Sequence, residues 1–151
     1  MKRLLLTILA AGLATAHADD AAKAKLMEVG KAAYATCAAC HGADGAGLPV
    51  GAQKMAPPLG GSKLVTGKPD VLALLILKGI AKENQNYLGI MAPLELAFPD
   101  DEKLAGIITY VRNSFGNTAS VVTAEDAKKF REKWAENKTP VTRAQLEELE
   151  K

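Results

Sequence analysis

The sequence predicts an all-α fold built as one domain, and three observations carry that reading. Apolar residues recur at helical spacing in several stretches beyond the N-terminal leader. Those stretches open on acidic residues, threonine or proline, and some close on glycine, which is how helices begin and end. The chain from Asp19 to Lys151 has the length of one domain rather than two.

The N-terminus reads as a secretory leader. Lys2 and Arg3 give a positive start, Leu4 to Ala14 an apolar run, and Ala16-His17-Ala18 the small-x-small pattern that signal peptidase needs. Residues 1–18 are therefore set apart from the fold, with cleavage expected between Ala18 and Asp19 and the bacterial periplasm as destination. As an anchor the run would be short, since a spanning helix needs roughly 20 apolar residues. No cysteine near the cleavage point could carry a lipid, and no later apolar run is long enough to span. The mature chain is thus expected to lack a transmembrane segment. Lys2 and Arg3 account for the whole excess of 19 basic over 17 acidic side chains. What remains is near neutral, without the clustered basic face of a nucleic-acid binder.

The first expected helix covers Ala21 to Thr36, with Leu26, Val29 or Gly30, and Ala33 or Tyr34 on one stripe. Gly30 in its middle costs about 1 kcal/mol relative to alanine. That cost is explained if another backbone passes close by; otherwise Gly30 is simply a weak spot.

Cys37-Ala38-Ala39-Cys40-His41 follows. In an exported chain, C-x-x-C-H reads as the attachment site of a c-type haem. The thiols would become thioether links to the porphyrin vinyl groups, and the imidazole would be the proximal ligand of the iron. His41 is the one histidine left once His17 departs with the leader. A structural zinc site wants four Cys or His ligands, and only Cys37, Cys40 and His41 remain. A thioredoxin-like motif normally sits between a strand and a helix, and no strand pattern precedes this one. The plain alternative is a short-loop disulfide in an oxidising compartment.

From Gly42 to Gly67, seven glycines and three prolines leave mostly loop and turn. A loop that long inside a small domain needs a functional reason. Draping over the apolar face of a haem supplies one, and Pro57-Pro58-Leu59 is a stiff extended segment suited to it. Leu48, Val50, Met55 and Leu59 argue against a flexible linker. A second helix is expected over Val71 to Gly79, opened by Pro69-Asp70, with Leu72, Leu75 and Ile76 on one stripe and Gly79 as its stop. After a polar loop comes Ile90-Met91-Ala92-Pro93. Proline disfavours helix in the residue before it, so this segment forms an extended strut. Met91 on it is either core filler or an iron ligand. Phe98-Pro99-Asp100-Asp101-Glu102 opens the next helix, its acids at the positive dipole end. Leu104, Ile107, Ile108 and Val111 make its stripe, Phe115 follows one turn on, and Gly116-Asn117 closes it.

Taken together, these pieces resemble the class I cytochrome c domain over roughly Ala22 to Asn117. The matching parts are the Gly30/Tyr34 helix, Cys37 to Gly42, Pro57-Pro58-Leu59, Met91-Ala92-Pro93 and the helix ending Tyr110 to Asn117. The resemblance implies a cytochrome c fold, with helices wrapped around one covalent haem c and its iron, and with the first and last helices crossing near a right angle. It implies that Pro57 offers its carbonyl to the second ring nitrogen of His41 and that the Met91 sulfur closes the far side of the iron. Met55 also lies in a loop after the motif, but the family places this ligand after the middle helix, which favours Met91. Asn84, Gln85 and Tyr87 are candidates for the haem propionates.

The expected organisation is therefore a leader over 1–18, a cytochrome c domain over 19–117 and a helical C-terminal extension over 118–151. In the extension, Thr123 to Asp126 looks like a helix cap ahead of Ala127, Phe130 and Trp134, and Thr142 to Gln145 repeats a capping-box pattern before Leu146 and Leu149. It serves either as a clamp packed on the domain or as a dock for a partner. With both axial positions filled, the iron could only change oxidation state. The expected function is a periplasmic electron carrier, not an enzyme, serving redox partners such as a dehydrogenase, oxidase or reductase. The rivals are a cytochrome subunit of a periplasmic dehydrogenase, an open-site haem enzyme or gas sensor, and a haem-free thiol-disulfide protein.

Overall fold

The computed structural model describes residues 4–82, 87 and 89–151, with side chains described from Asp19 onward. The architecture is all-α, with seven helices among the described residues and a two-residue hairpin as the sole sheet. Helix α1 (Leu4–Ala33) runs unbroken through the expected cleavage point. No helix among the described residues is long and apolar enough to cross a membrane.

The first helix ends at Ala33, earlier than the spacing suggested, and α2 (Ala35–His41) carries the whole cysteine motif. Tyr34 is the turn between them. Its carbonyl accepts from the N–H groups of Cys37 and Ala38, both at 2.9 Å, and its hydroxyl donates to Gly42 O at 2.7 Å. One buried side chain thereby spans the motif from start to end.

The glycine-rich stretch is mostly loop and turn, as its composition dictates. Within it, β1 (Pro49–Val50) pairs antiparallel with β2 (Gln53–Lys54), and α3 (Lys63–Thr66) is a single turn. Helix α4 (Pro69–Lys78) has proline in its first turn and stops at Gly79, whose φ of 72° is open to glycine at little cost. Helix α5 (Asp101–Arg112) is capped by Asp100, which accepts from Lys103 N at 2.7 Å. It ends at Arg112, short of the expected Gly116. The cause is Phe115, which takes a left-handed φ of 59° and turns its ring onto Tyr34 and Tyr110, at 5.1 and 5.8 Å between centroids.

The main core lies between α1, α4 and α5. Leu104, Ile107 and Ile108 are fully buried, each contributing about 1.5–3 kcal/mol of transfer free energy. Arg112 is buried beside them, and its guanidinium donates to the carbonyls of Val65, Gly67 and Ser120. It fastens α3 and the chain beyond α5 to the same helix end.

Two capped helices follow, α6 (Ala124–Lys133) and α7 (Arg143–Glu150), each opened by a complete capping box. They pack back on the domain. Trp134 Nε1 donates to Asp70 O at 2.8 Å, and Trp134, Val141 and Leu146 form a second cluster with Val71 and Leu74 of α4. Helix α4 is consequently apolar nearly all round rather than along one stripe: Val71, Ala73, Leu74 and Leu77 are as buried as Leu72 and Ile76.

Candidate functional site

Cys37, Cys40 and His41 stand at i, i+3 and i+4 on α2 and share one face of it. All three line an apolar cleft. Its other walls come from the Met55–Leu59 loop, from Leu72 and Ile76 of α4, from Ile107 and Val111 of α5, and from the Met91 strut. The loop after the motif turns back to hold α2: Gly47 N donates to His41 O at 2.7 Å and Leu48 N to Cys40 O at 3.0 Å.

Both cysteines are free and half-buried. Burial, and then the neighbouring Cys40, push the Cys37 thiol up to about 11. A thiol-disulfide enzyme needs the opposite, a thiol pulled down toward neutrality. His41 is pulled below the ordinary imidazole range by burial, against the raising effect of the Pro57 carbonyl. Its Nδ1 lies 2.9 Å from Pro57 O. A carbonyl can only accept, so Nδ1 carries the proton and Nε2 keeps the lone pair.

Met91 is held by backbone geometry. Ile80 N donates to Met91 O at 2.9 Å, and the side chain packs against the main core. Met55 lines the cleft as well, its carbonyl accepting from Gly89 N at 2.8 Å. Tyr87 lines the cleft, whereas Asn84 and Gln85 lie outside the described residues. Arg143, which no sequence pattern marked, also reaches the cleft, from α7.

The family model for cytochrome c matches residues 27–115, well over half of the chain. The chain belongs to the cytochrome c family. It is 31% identical over 143 residues to a cytochrome c-552 of Thermus thermophilus, with 88% of each chain covered. A second Thermus thermophilus cytochrome c-552 is 29% identical over 109 residues, covering 66% of this chain and 82% of its own. In the first comparison the uncovered part is shorter than the stretch beyond Asn117. The likeness therefore reaches into the C-terminal extension, where the motif-based resemblance had ended.

Membership brings a covalently bound haem c with its iron. The cleft fits that group. It offers two unpaired thiols, one imidazole with a single nitrogen left, two methionine thioethers and apolar walls. Among the described residues, no group of three or more His, Cys, Asp or Glu side chains could hold a bare metal ion instead.

Proposed function

We propose that the protein is a periplasmic one-electron carrier whose haem is attached through Cys37 and Cys40 and ligated by His41 and Met91. When bound, the haem supplies an iron that alternates between ferric and ferrous. The observation that carries the reading is the joint placement of Cys37, Cys40, His41 and Met91 on one apolar cleft, with Pro57 O holding the His41 ring. Pro57 fixes which nitrogen of His41 is available and in what orientation. Met91, tied through its backbone to Ile80, presents a soft sulfur that favours the ferrous state. The apolar walls act in the same direction by making added positive charge costly.

The Met91 assignment is favoured over Met55 by packing, since Met91 rests on the main core and its strut is bonded to the end of α4. A free carrier is favoured over a dedicated enzyme subunit because the apolar faces of α6 and α7 are already covered by α4 and α5. The leader over 1–18 supports the periplasmic destination.

The test is an absorption spectrum, oxidised and reduced, of protein exported in a host that attaches haem. Sharp low-spin bands and a weak far-red ferric band, lost in Met91→Ala but kept in Met55→Ala, are expected. A high-spin spectrum with tight carbon monoxide binding would instead make the protein a catalyst or gas binder. Two titratable thiols in the exported protein would return Cys37 and Cys40 to disulfide chemistry.

A further inference from the structure

We propose that Arg143 of the C-terminal extension pairs with a propionate of the haem, so that the extension completes the haem site; this rests on the haem reading above. Among the described residues lining the cleft, Arg143 is the sole Lys, Arg, Asp or Glu side chain. The remaining walls are apolar or neutral, apart from His41 and the two thiols that the haem itself engages. A haem carries two propionate carboxylates on one edge. A carboxylate against apolar walls is strongly disfavoured unless a cation or hydrogen-bond donors meet it. The guanidinium fork suits it, because two parallel N–H groups match the two oxygens.

Arg143 reaches the cleft through an ordered series of contacts. Val141 lies beside Ile80 as a parallel bridge, with Val141 N donating to Gly79 O at 3.1 Å and Ala81 N to Val141 O at 2.8 Å. Ile80 and Ala81 are themselves cleft-lining residues. Thr142 then caps α7, and Leu146 is fully buried beneath it. Arg143 sits at the first position of that helix, partly buried, between these two anchors. The same Ile80 is bridged on its other side to Met91. Extension, cleft rim and methionine strut thus form one hydrogen-bonded unit. A cation held on the propionate offsets negative charge near the iron and raises the potential.

The test uses holoprotein of Arg143→Gln and Arg143→Lys, each checked for two thioether links and for native circular dichroism. Arg143→Gln is expected to have a lower midpoint potential, with Arg143→Lys recovering most of the difference. In unsubstituted holoprotein, nuclear Overhauser contacts are expected between the propionate methylenes and the Arg143 side chain. An unchanged potential in a well-folded Arg143→Gln protein overturns the proposal. So does a propionate whose contacts run only to residues of the 55–90 segment, a result readable even if no variant accumulates. Unsubstituted protein that takes up no haem would overturn the haem reading itself, and is distinguished by its spectrum.

Discussion

Gly30 and Gly106 meet backbone to backbone where α1 packs on α5. A methyl group on Gly30 would fall 2.5 Å from Tyr110 Cβ, and one on Gly106 would fall 2.8 Å from Val29 Cγ1. Neither atom is the loose end of a flexible side chain, so the helices would have to separate. Gly30→Ala is therefore expected to destabilise by about 1–3 kcal/mol, despite the better helix propensity of alanine. A denaturant midpoint of the holoprotein that rises on Gly30→Ala would show that the helices have room to spare.

Asn117 is a tie rather than a simple helix stop. Its side-chain nitrogen donates to Leu59 O and Val111 O, and its oxygen accepts from Gly61 N. It thereby fixes the Pro57-Pro58-Leu59 wall to the end of α5. Asn117→Ala should cost roughly 2–4 kcal/mol, because it strips partners from buried backbone groups. Thermal melts of the holoprotein read this directly. Asn117→Asp should do damage too, since a carboxylate cannot donate to Leu59 O and Val111 O.

Gly79 controls the methionine strut. Besides its positive φ, a methyl group there would lie 2.8 Å from Ala92 C and Pro93 N. Gly79→Ala should push the Met91-Ala92-Pro93 segment outward, weaken the far-red band and lower the potential, with the thioether links intact. An unaltered band and potential would mean that Met91 tolerates displacement or does not ligate. The backbone there, with φ 72° and ψ −178°, is a conformation essentially reserved for glycine and alone adds about 1–3 kcal/mol of strain to a residue with a side chain.

Legibility differed between short-range and long-range features. The stop at Gly79 and the two capping boxes are readable because each acts within a few residues of itself, whereas Gly30 owes its place to Gly106, far along the chain, and is legible only through the family resemblance. Helix α4 shows one apolar stripe in its sequence yet is buried nearly all round, since Val71 and Leu74 find their partners Trp134 and Leu146 far along the chain. Arg112 and Arg143 carried no local mark. A basic residue at a helix end is ordinarily a solvated one, and only the folded chain brings Val65 O and Gly67 O to Arg112, or the cleft to Arg143. The end of α5 at Arg112, ahead of Gly116, has a related reason. Phe115 is turned by its aromatic partners, one of which lies at the far end of the first helix.

Trp134 clamps the extension onto α4 without itself lining the cleft. Its indole is 9% exposed, donates to Asp70 O and covers Val71 and Leu74. Trp134→Ala should cost about 3–5 kcal/mol through cavity formation and the lost hydrogen bond. Hydrogen exchange should rise along α4 as well as in α6 and α7. Faster exchange confined to the extension would show that α4 does not depend on this cover.

Asp126 gives the extension a pH dependence whose sign can be worked out. Its carboxylate accepts from Thr123 Oγ1 at 2.7 Å and Thr123 N at 3.0 Å, while Asp126 N donates to Thr123 Oγ1 at 3.1 Å. The Thr123 hydroxyl, then its backbone N–H, hold this carboxyl below the ordinary range. A carboxyl depressed by folding contributes stability above its unfolded pKa and loses it as pH falls through its folded pKa. Asp126→Ala should therefore cost about 1 kcal/mol at neutral pH, with the gap closing steadily below about pH 4. Asp126→Asn separates charge from hydrogen bonding. Its amide oxygen still accepts from Thr123, so it should fall between the two proteins at neutral pH and show no such closing. Paired denaturation midpoints at neutral and acid pH provide the comparison. A constant gap for Asp126→Ala across that range would mean that charge plays no part in the cap.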